Sequence, residues 1–299
     1  MIKRTLYFSN PAYLKTKEEQ LVIDLPERKE QKQVPLEDIG IVILDHPRIT
    51  ITHTVIAKLL HHNAALITCN ETHHPTGLML NLDGHTLQAQ RFQHQVTAPV
   101  PLKKQLWQQT IQAKIRNQAA LLKRAGIESK RMQQLATIVK SGDTTNIEAT
   151  ASVYYWRHFF PKQMAFFRER FGAPPNNLFN YGYAILRACV ARSLVGSGLL
   201  PTLGIFHRNQ YNAYCLADDI MEPYRPYIDN LVRKMVLEDG HQEYFLSTSG
   251  KQQLLCIPAM DVQIEGQSSP LMVAMQRTTA SLARSFEERK AQVVYPILV

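Results

Sequence analysis

Glu148, His207, Asp219 and Glu222 are the residues of this chain whose types and neighbourhoods suggest chemistry. Glu148 lies in NIEATASVYYWRHFF beside the small residues Ala149, Ala151 and Ser152, which let another element come close and partly bury its carboxylate. His207 follows an apolar run broken by Gly204, in LPTLGIFHRNQYNAYCLADDIMEPYRP, and the same stretch then carries Asp218, Asp219 and Glu222. Asp219 and Glu222 fall one helical turn apart on one face. Like charges stacked in that way repel, so the pair is easiest to understand with a cation between or beside them. Pro223 and Pro226 disturb the helix just beyond and fix where the carboxylates point. Alone, a helical glutamate is usually solvated and a histidine beside an apolar run usually sits satisfied in a core. Together, two carboxylates and one imidazole suit Mg²⁺ or Mn²⁺, the single nitrogen shifting tolerance toward Mn²⁺. Zn²⁺ is disfavoured because neither sulfur ligands nor paired-histidine spacing accompanies them. A metal held by so few protein ligands keeps positions open for phosphate and water, which phosphoryl transfer needs.

The elements that must position these groups divide into two parts. Residues 1–95 read as a small β-rich domain: TLYF, QLVIDL and DIGIVILD are short runs rich in β-branched and aromatic residues, set apart by turn-forming segments. THTVIAKLLHHN interrupts them as a helix with Thr52 as its N-cap, and AALITCN and PTGLMLNL return to strand character. Pro99 and Pro101 punctuate a linker at 96–101. From 102 to 299 the patterns are helical, which makes an all-α catalytic domain and an α+β chain. The first of these helices carries Leu106, Ile111, Ile115, Ala119 and Leu122 on one stripe and ends at Gly126. Further helices are expected over 128–140, 145–170, 178–199, 211–237 and 271–291.

Composition narrows the partners. The 299 residues carry a formal net charge of +9, which favours a polyanion. No window approaches the ~18–20 apolar residues needed to span a bilayer, so no membrane partner is expected. Cys69, Cys189, Cys215 and Cys256 form no CxxC pair and sit mostly in apolar surroundings, which fits a reduced, cytoplasmic protein. Lys103, Lys104, Lys114, Arg116, Lys123 and Arg124 on one helix, and Arg277, Arg284, Arg289 and Lys290 on the last, are candidate phosphate contacts, with a solvated face as the plainer reading of each. His61–His62 and His73–His74 are adjacent rather than one turn apart, which argues against a second, zinc-type site.

NIEATASVYYW, LFNYGYAILR, LWQQTIQAKIRNQA and LPTLGIFHRNQYNAYCLADDIMEPYRP together resemble the CRISPR-associated spacer-acquisition integrase family, in the branch accompanying the single-protein RNA-guided effector nuclease; VPLEDIGIVILD and HPTGLML extend the resemblance over nearly the whole chain. The resemblance implies that Glu148, His207 and Glu222 bind the metal and that Asp219 is a further acidic group of the site. Glu222 stands where many members carry aspartate. It further implies a β-sandwich-like N-terminal domain, an all-helical catalytic domain, and insertion of a captured double-stranded DNA fragment into a CRISPR repeat by attack of its 3′-hydroxyl. Implied partners are a second copy of the chain and a small ferredoxin-like adaptation protein, with the effector nuclease as a further candidate. Two other readings stand beside it: a hydrolytic nuclease that uses the same residues only to cleave branched DNA or RNA, and a non-catalytic DNA-binding scaffold that relies on the basic helices and not on Glu148 or His207.

Overall fold

The run Ile39–Leu44, IGIVIL, holds no polar side chain because the strand it forms is covered on both faces. Successive side chains point to opposite sides of a sheet. Val42 accordingly joins one apolar core, and Ile41 and Ile43 join another. The computed structural model describes residues 3–238 and 246–299. Its N-terminal part comprises β1 (Arg4–Phe8), β2 (Ala12–Lys17), β3 (Gln20–Leu25), β4 (Glu30–Pro35), β5 (Ile39–Leu44), β6 (Ile49–Ile51), α1 (His53–His61), β7 (Ala65–Cys69) and β8 (Pro75–Met79). One sheet runs β1-β5-β7-β8, with the first three strands parallel and β8 antiparallel. The other runs β4-β3-β2-β6, antiparallel except for β6 beside β2. Leu14, Leu21, Ile23 and Val34 of the second sheet meet Val42 and Leu66 of the first, and α1 adds Val55 and Leu59. The expected N-cap is present: Thr52 Oγ1 accepts from Val55 N.

The other face of the first sheet, Ile41, Ile43, Ala65 and Ile67, shares its core with the helices. These are α2 (Gln88–Val96), α3 (Val100–Arg124), α4 (Lys130–Ile138), α5 (Ile147–Phe159), α6 (Asn176–Gly196), α7 (Cys215–Met221), α8 (Arg225–Glu238), α9 (Thr248–Leu254) and α10 (Leu271–Glu288). The chain is thus β sheets followed by a helical domain, as its sequence patterns predict. Helix α3 buries the whole expected stripe, Leu106 to Leu122. It closes as predicted at Gly126, whose φ of +72° lets Ile127 N bond Leu122 O and Gly126 N bond Lys123 O, satisfying two carbonyls of the last turn.

Four expectations need correction. Helix α2 lies inside the stretch read as β-rich, and its bonds run to the helical part: Gln95 Nε2 donates to Leu200 O and Leu203 O, each at 3.0 Å. The helix expected over 145–170 stops at Phe159, where Phe160 is extended ahead of Pro161. The helix expected over 211–237 begins at Cys215 and is broken by a 3₁₀ turn, Glu222–Tyr224, at Pro223. A hairpin of β9 (Asp261–Ile264) and β10 (Gln267–Pro270) precedes α10 in the part expected to be helical. Among the described residues no helix is long and apolar enough to cross a membrane.

Candidate active site

Helix α3 is the platform on which the expected residues assemble. Glu148 stands in the first turn of α5, and that turn is fastened from outside: Asp143 Oδ1 and Oδ2 accept from Ile147 N and Glu148 N at 2.8 and 2.9 Å. Asp143 therefore serves two of the backbone donors that a helix start leaves free. Glu222 stands on the 3₁₀ turn after α7, and Asn117 of α3 holds that turn by donating from Nδ2 to Pro223 O at 2.8 Å. Between the two carboxylates lies Lys114 of α3. Its Nζ is 2.5 Å from Glu148 Oε1 and 2.7 Å from Glu222 Oε2. Ser152 Oγ also donates to Glu148 Oε1, at 2.9 Å, and Arg225 Nε lies 2.8 Å from Glu222 Oε1.

Lys114 overturns one expectation. It is not on a solvated, DNA-facing side of α3 but buried, its side chain 9% exposed. Burial works against its charge, yet Glu222 and Glu148 outweigh that and leave its pKa above the ordinary lysine value. Glu222 is likewise pushed up by burial and pulled further down by Arg225 and Lys114, so it is held ionised. Glu222 Oε2 is thus buried against the Lys114 ammonium.

His207 reaches the same region from the loop before α7. A Cβ on Gly204 would stand 2.3 Å from His207 O, so only glycine allows the loop to fold this tightly. The ring packs edge-on to Trp107 of α3, which itself stacks on Phe206 at 4.2 Å. Its Nδ1 donates to Asp219 Oδ1, and Asp219 Oδ2 accepts from Phe206 N at 2.9 Å. Asp219 has no exposed surface, and both its oxygens are engaged in holding the loop. It is therefore a positioning residue: with Nδ1–H committed to it, the neutral His207 ring carries its lone pair on Nε2. The Asp219 hydrogen bond raises the pKa of His207 above the ordinary histidine value, with Glu222 adding to the effect.

These pairings also correct the reason first given for a cation. Asp219 and Glu222 do not share one: His207 answers Asp219, while Lys114 and Arg225 answer Glu222. Asp218 belongs to a separate bidentate pair with Arg187. Among the described residues, no three His, Cys, Asp or Glu side chains already converge closely enough to hold an ion.

The site opens on a cleft of about 300 Å³ bordered by Lys114, Gln118, Glu222, Arg225, Arg168 and Arg170. Behind it Asp229 of α8 is buried, accepting from Tyr155 OH at 2.9 Å and from Tyr183 OH. Burial pushes its carboxyl up to about 6 despite those bonds. Lys114, Asn117, Gln118, Arg225 and Asp229 form no motif in the sequence. For Lys114, Asn117, Gln118 and Asp229 the one shared signal is a polar residue at a buried helical position, and Arg225 is part-exposed.

The family model for CRISPR associated protein Cas1 matches residues 6–256. The chain belongs to the Cas1 family. Within that family it is 36% identical, over 298 residues, to the CRISPR-associated endonuclease Cas1 of Neisseria meningitidis serogroup C, an alignment covering 98% of this chain and 95% of the relative. A Cas1 relative from Pyrobaculum aerophilum is 27% identical over 86% of this chain and 91% of its own length. The fold is that of a casposase bound to its integration product (TM-score 0.80, 20% identity, 98% of this chain and 92% of the other). It is also that of a Cas1 protein from Thermotoga maritima (TM-score 0.77, 15% identity, 98% and 99%). A Cas6-RT-Cas1–Cas2 complex contains the same fold (TM-score 0.76, 19% identity, all of this chain and 36% of the other).

Proposed function

We propose that this Cas1 family member is a divalent-metal-dependent DNA integrase that inserts short DNA fragments into a CRISPR repeat. The observation that carries the reading is the meeting of Glu148 and Glu222, from elements far apart in sequence, at one cation position beside a basic cleft. Membership of the family and the integration product bound to the casposase of the same fold support it.

The residues present fit the metal. Glu222 Oε2 is a buried carboxylate oxygen already set against a cation, the Lys114 ammonium, and in the neutral ring His207 Nε2 is left free by the bond at Nδ1. Two oxygen donors and one imidazole form a donor set for Mg²⁺ or Mn²⁺. Glu148, His207 and Glu222 would hold the ion. Bound there, it supplies Lewis-acid chemistry, neutralising charge that develops on the phosphate and easing deprotonation of the attacking hydroxyl. Arg168 and Arg170 bring positive charge to the cleft wall, where a phosphodiester backbone is held without reading its sequence. Next to the cleft, and sharing Ser152, Trp156 and Arg168 with it, lies a second hollow of about 540 Å³ flanked by Arg157 and Lys162, which extends the room for a strand.

In the reaction, the 3′-oxygen of the fragment forms a new bond to the phosphorus at the 5′ edge of the repeat while the bond from that phosphorus to the 3′-oxygen of the flanking nucleotide breaks. The attacking hydroxyl gives up its proton and the departing oxygen takes one, so no external energy source is needed. The assembly expected around it is a second copy of the chain and a small ferredoxin-like adaptation partner, with the effector nuclease as a further candidate.

Hydrolysis is the second reading, favoured by the word endonuclease in the name of the Neisseria relative. A fragment labelled next to its 3′-hydroxyl separates the two when it is incubated with repeat DNA. Integration joins the label to the repeat; hydrolysis leaves it unjoined.

A further inference from the structure

The two glutamates are neutralised before any divalent ion arrives. Lys114 enters from the middle of α3 and places Nζ within 2.7 Å of both carboxylates. Without it, the two carboxylates, one buried and one part-exposed, would repel each other. A divalent ion that binds the same oxygens must therefore compete with the ammonium.

One turn further along α3 lies a buried acceptor without a partner. Gln118 follows Lys114 by one turn of α3, so their side chains share a face, and both border the cleft. Gln118 is buried, and its Oε1 has no hydrogen-bond partner. An ammonium carries three donors and no acceptor, and its flexible stem allows reorientation. Buried acceptors without donors are uncommon and cost stability. This one lies a helical turn from a donor held by another group, beside the space a phosphate has to occupy.

We propose that Lys114 is the resident counter-ion of the metal site, holding Glu148 and Glu222 together until a divalent ion binds and then turning its ammonium to Gln118 at the cleft. The proposal rests on the reading of Glu148 and Glu222 as metal ligands. It makes Lys114 a positioning residue with two berths. In the first it keeps the ligands assembled; in the second it adds positive charge where the scissile phosphate is held.

Metal affinity tests this without any turnover. Mn²⁺ is titrated into the full chain, free of DNA, and the unbound ion is followed by electron paramagnetic resonance. Melting temperatures are recorded in Mn²⁺ and in chelator. Lys114→Met should bind Mn²⁺ at least about tenfold more tightly than wild type, because the competing charge is gone. Its melting temperature should fall in chelator and recover in Mn²⁺, widening the gap between the two. Gln118→Met, which removes the second berth, should weaken Mn²⁺ binding. Lys114→Gln repeats the charge removal with a side chain that still hydrogen-bonds, in case the methionine variant does not fold. A residue that only supported packing would lower both melting temperatures together and leave Mn²⁺ affinity where it was; that result overturns the proposal. Unchanged affinity in Gln118→Met would remove the second berth. Glu222→Gln separates the two levels. If wild-type Mn²⁺ binding survives that change, the metal-site reading has failed; if Glu222→Gln abolishes binding while Lys114→Met leaves it unchanged, only the role of Lys114 has failed.

Discussion

Asp219 is a buried acid that positions another side chain of the candidate site. Its carboxylate fixes the His207 ring at Nδ1 and the loop at Phe206 N, so what it supplies is orientation. Partners of this kind behind a ligating histidine are typically worth ~10–100-fold in metal affinity or activity. Asp219→Asn should accordingly lower the integration rate by about that factor, measured at saturating DNA, while the chain stays folded. Asp229 makes a second residue-scale prediction, about stability. Its carboxyl is raised to about 6 by burial, against an ordinary aspartate near 3.8. The folded state therefore holds this proton more tightly than the unfolded state does. The stability it confers is fully present below the unfolded pKa and is lost as pH rises through about 6. A shift of that size is worth on the order of 3 kcal/mol at most. Denaturant unfolding should show stability falling between pH 4 and pH 6.5, and Asp229→Asn should flatten that fall.

Among the elements, α3 and α5 decide whether the two glutamates meet. The Asp143 side chain ties down Ile147 N and Glu148 N, so Asp143→Ala should destabilise the chain by about 1 kcal/mol, the usual cost of losing a helix cap. Because the freed residue is Glu148, integration should slow by more than that loss of stability explains; denaturation and rate measurements on one preparation decide it. The apolar stripe of α3, its end at Gly126 and the Thr52 cap were legible in the sequence because period and cap chemistry are local signals. Glu148, His207 and Glu222 stand out as candidates by resemblance. Lys114 does not, because a lysine among helical polar residues looks solvated until the carboxylates around it are known. Asn117 and Gln118 were hidden in the same way. Helix α2 went unread because QAQRFQHQV has no apolar stripe and the side chain it buries is Gln95. The break at Glu222–Tyr224 was half legible: Pro223 announced a disturbance, but not that Glu222 itself would stand on the turn.

On the scale of the whole molecule, the mixed sheet joins the strand-rich part to the helices, with one face in each core. A buried node pins this junction. Asp45, at the end of β5, takes Lys251 Nζ of α9 at 2.9 Å and the Tyr7 hydroxyl at 2.5 Å. Burial pushes the Asp45 carboxyl up, but bonds from Tyr7, Lys251 and His73 outweigh that and hold it below the ordinary value. Removing one partner of a buried pair leaves an uncompensated charge and costs roughly 3–5 kcal/mol. Lys251→Met should lower the denaturation midpoint accordingly, while Mn²⁺ affinity, set some distance away on α3, α5 and the turn after α7, stays unchanged. The account as a whole stands on one metal-dependent joining site. The direct measurement is the yield of labelled 3′-hydroxyl fragment joined to supercoiled repeat DNA, with the adaptation partner present, in Mg²⁺, in Mn²⁺ and in chelator, for wild type and Glu222→Ala. Joined product in either metal, none in chelator and none from Glu222→Ala is the predicted result. Joining that persists in chelator, or survives the loss of Glu222, would contradict it.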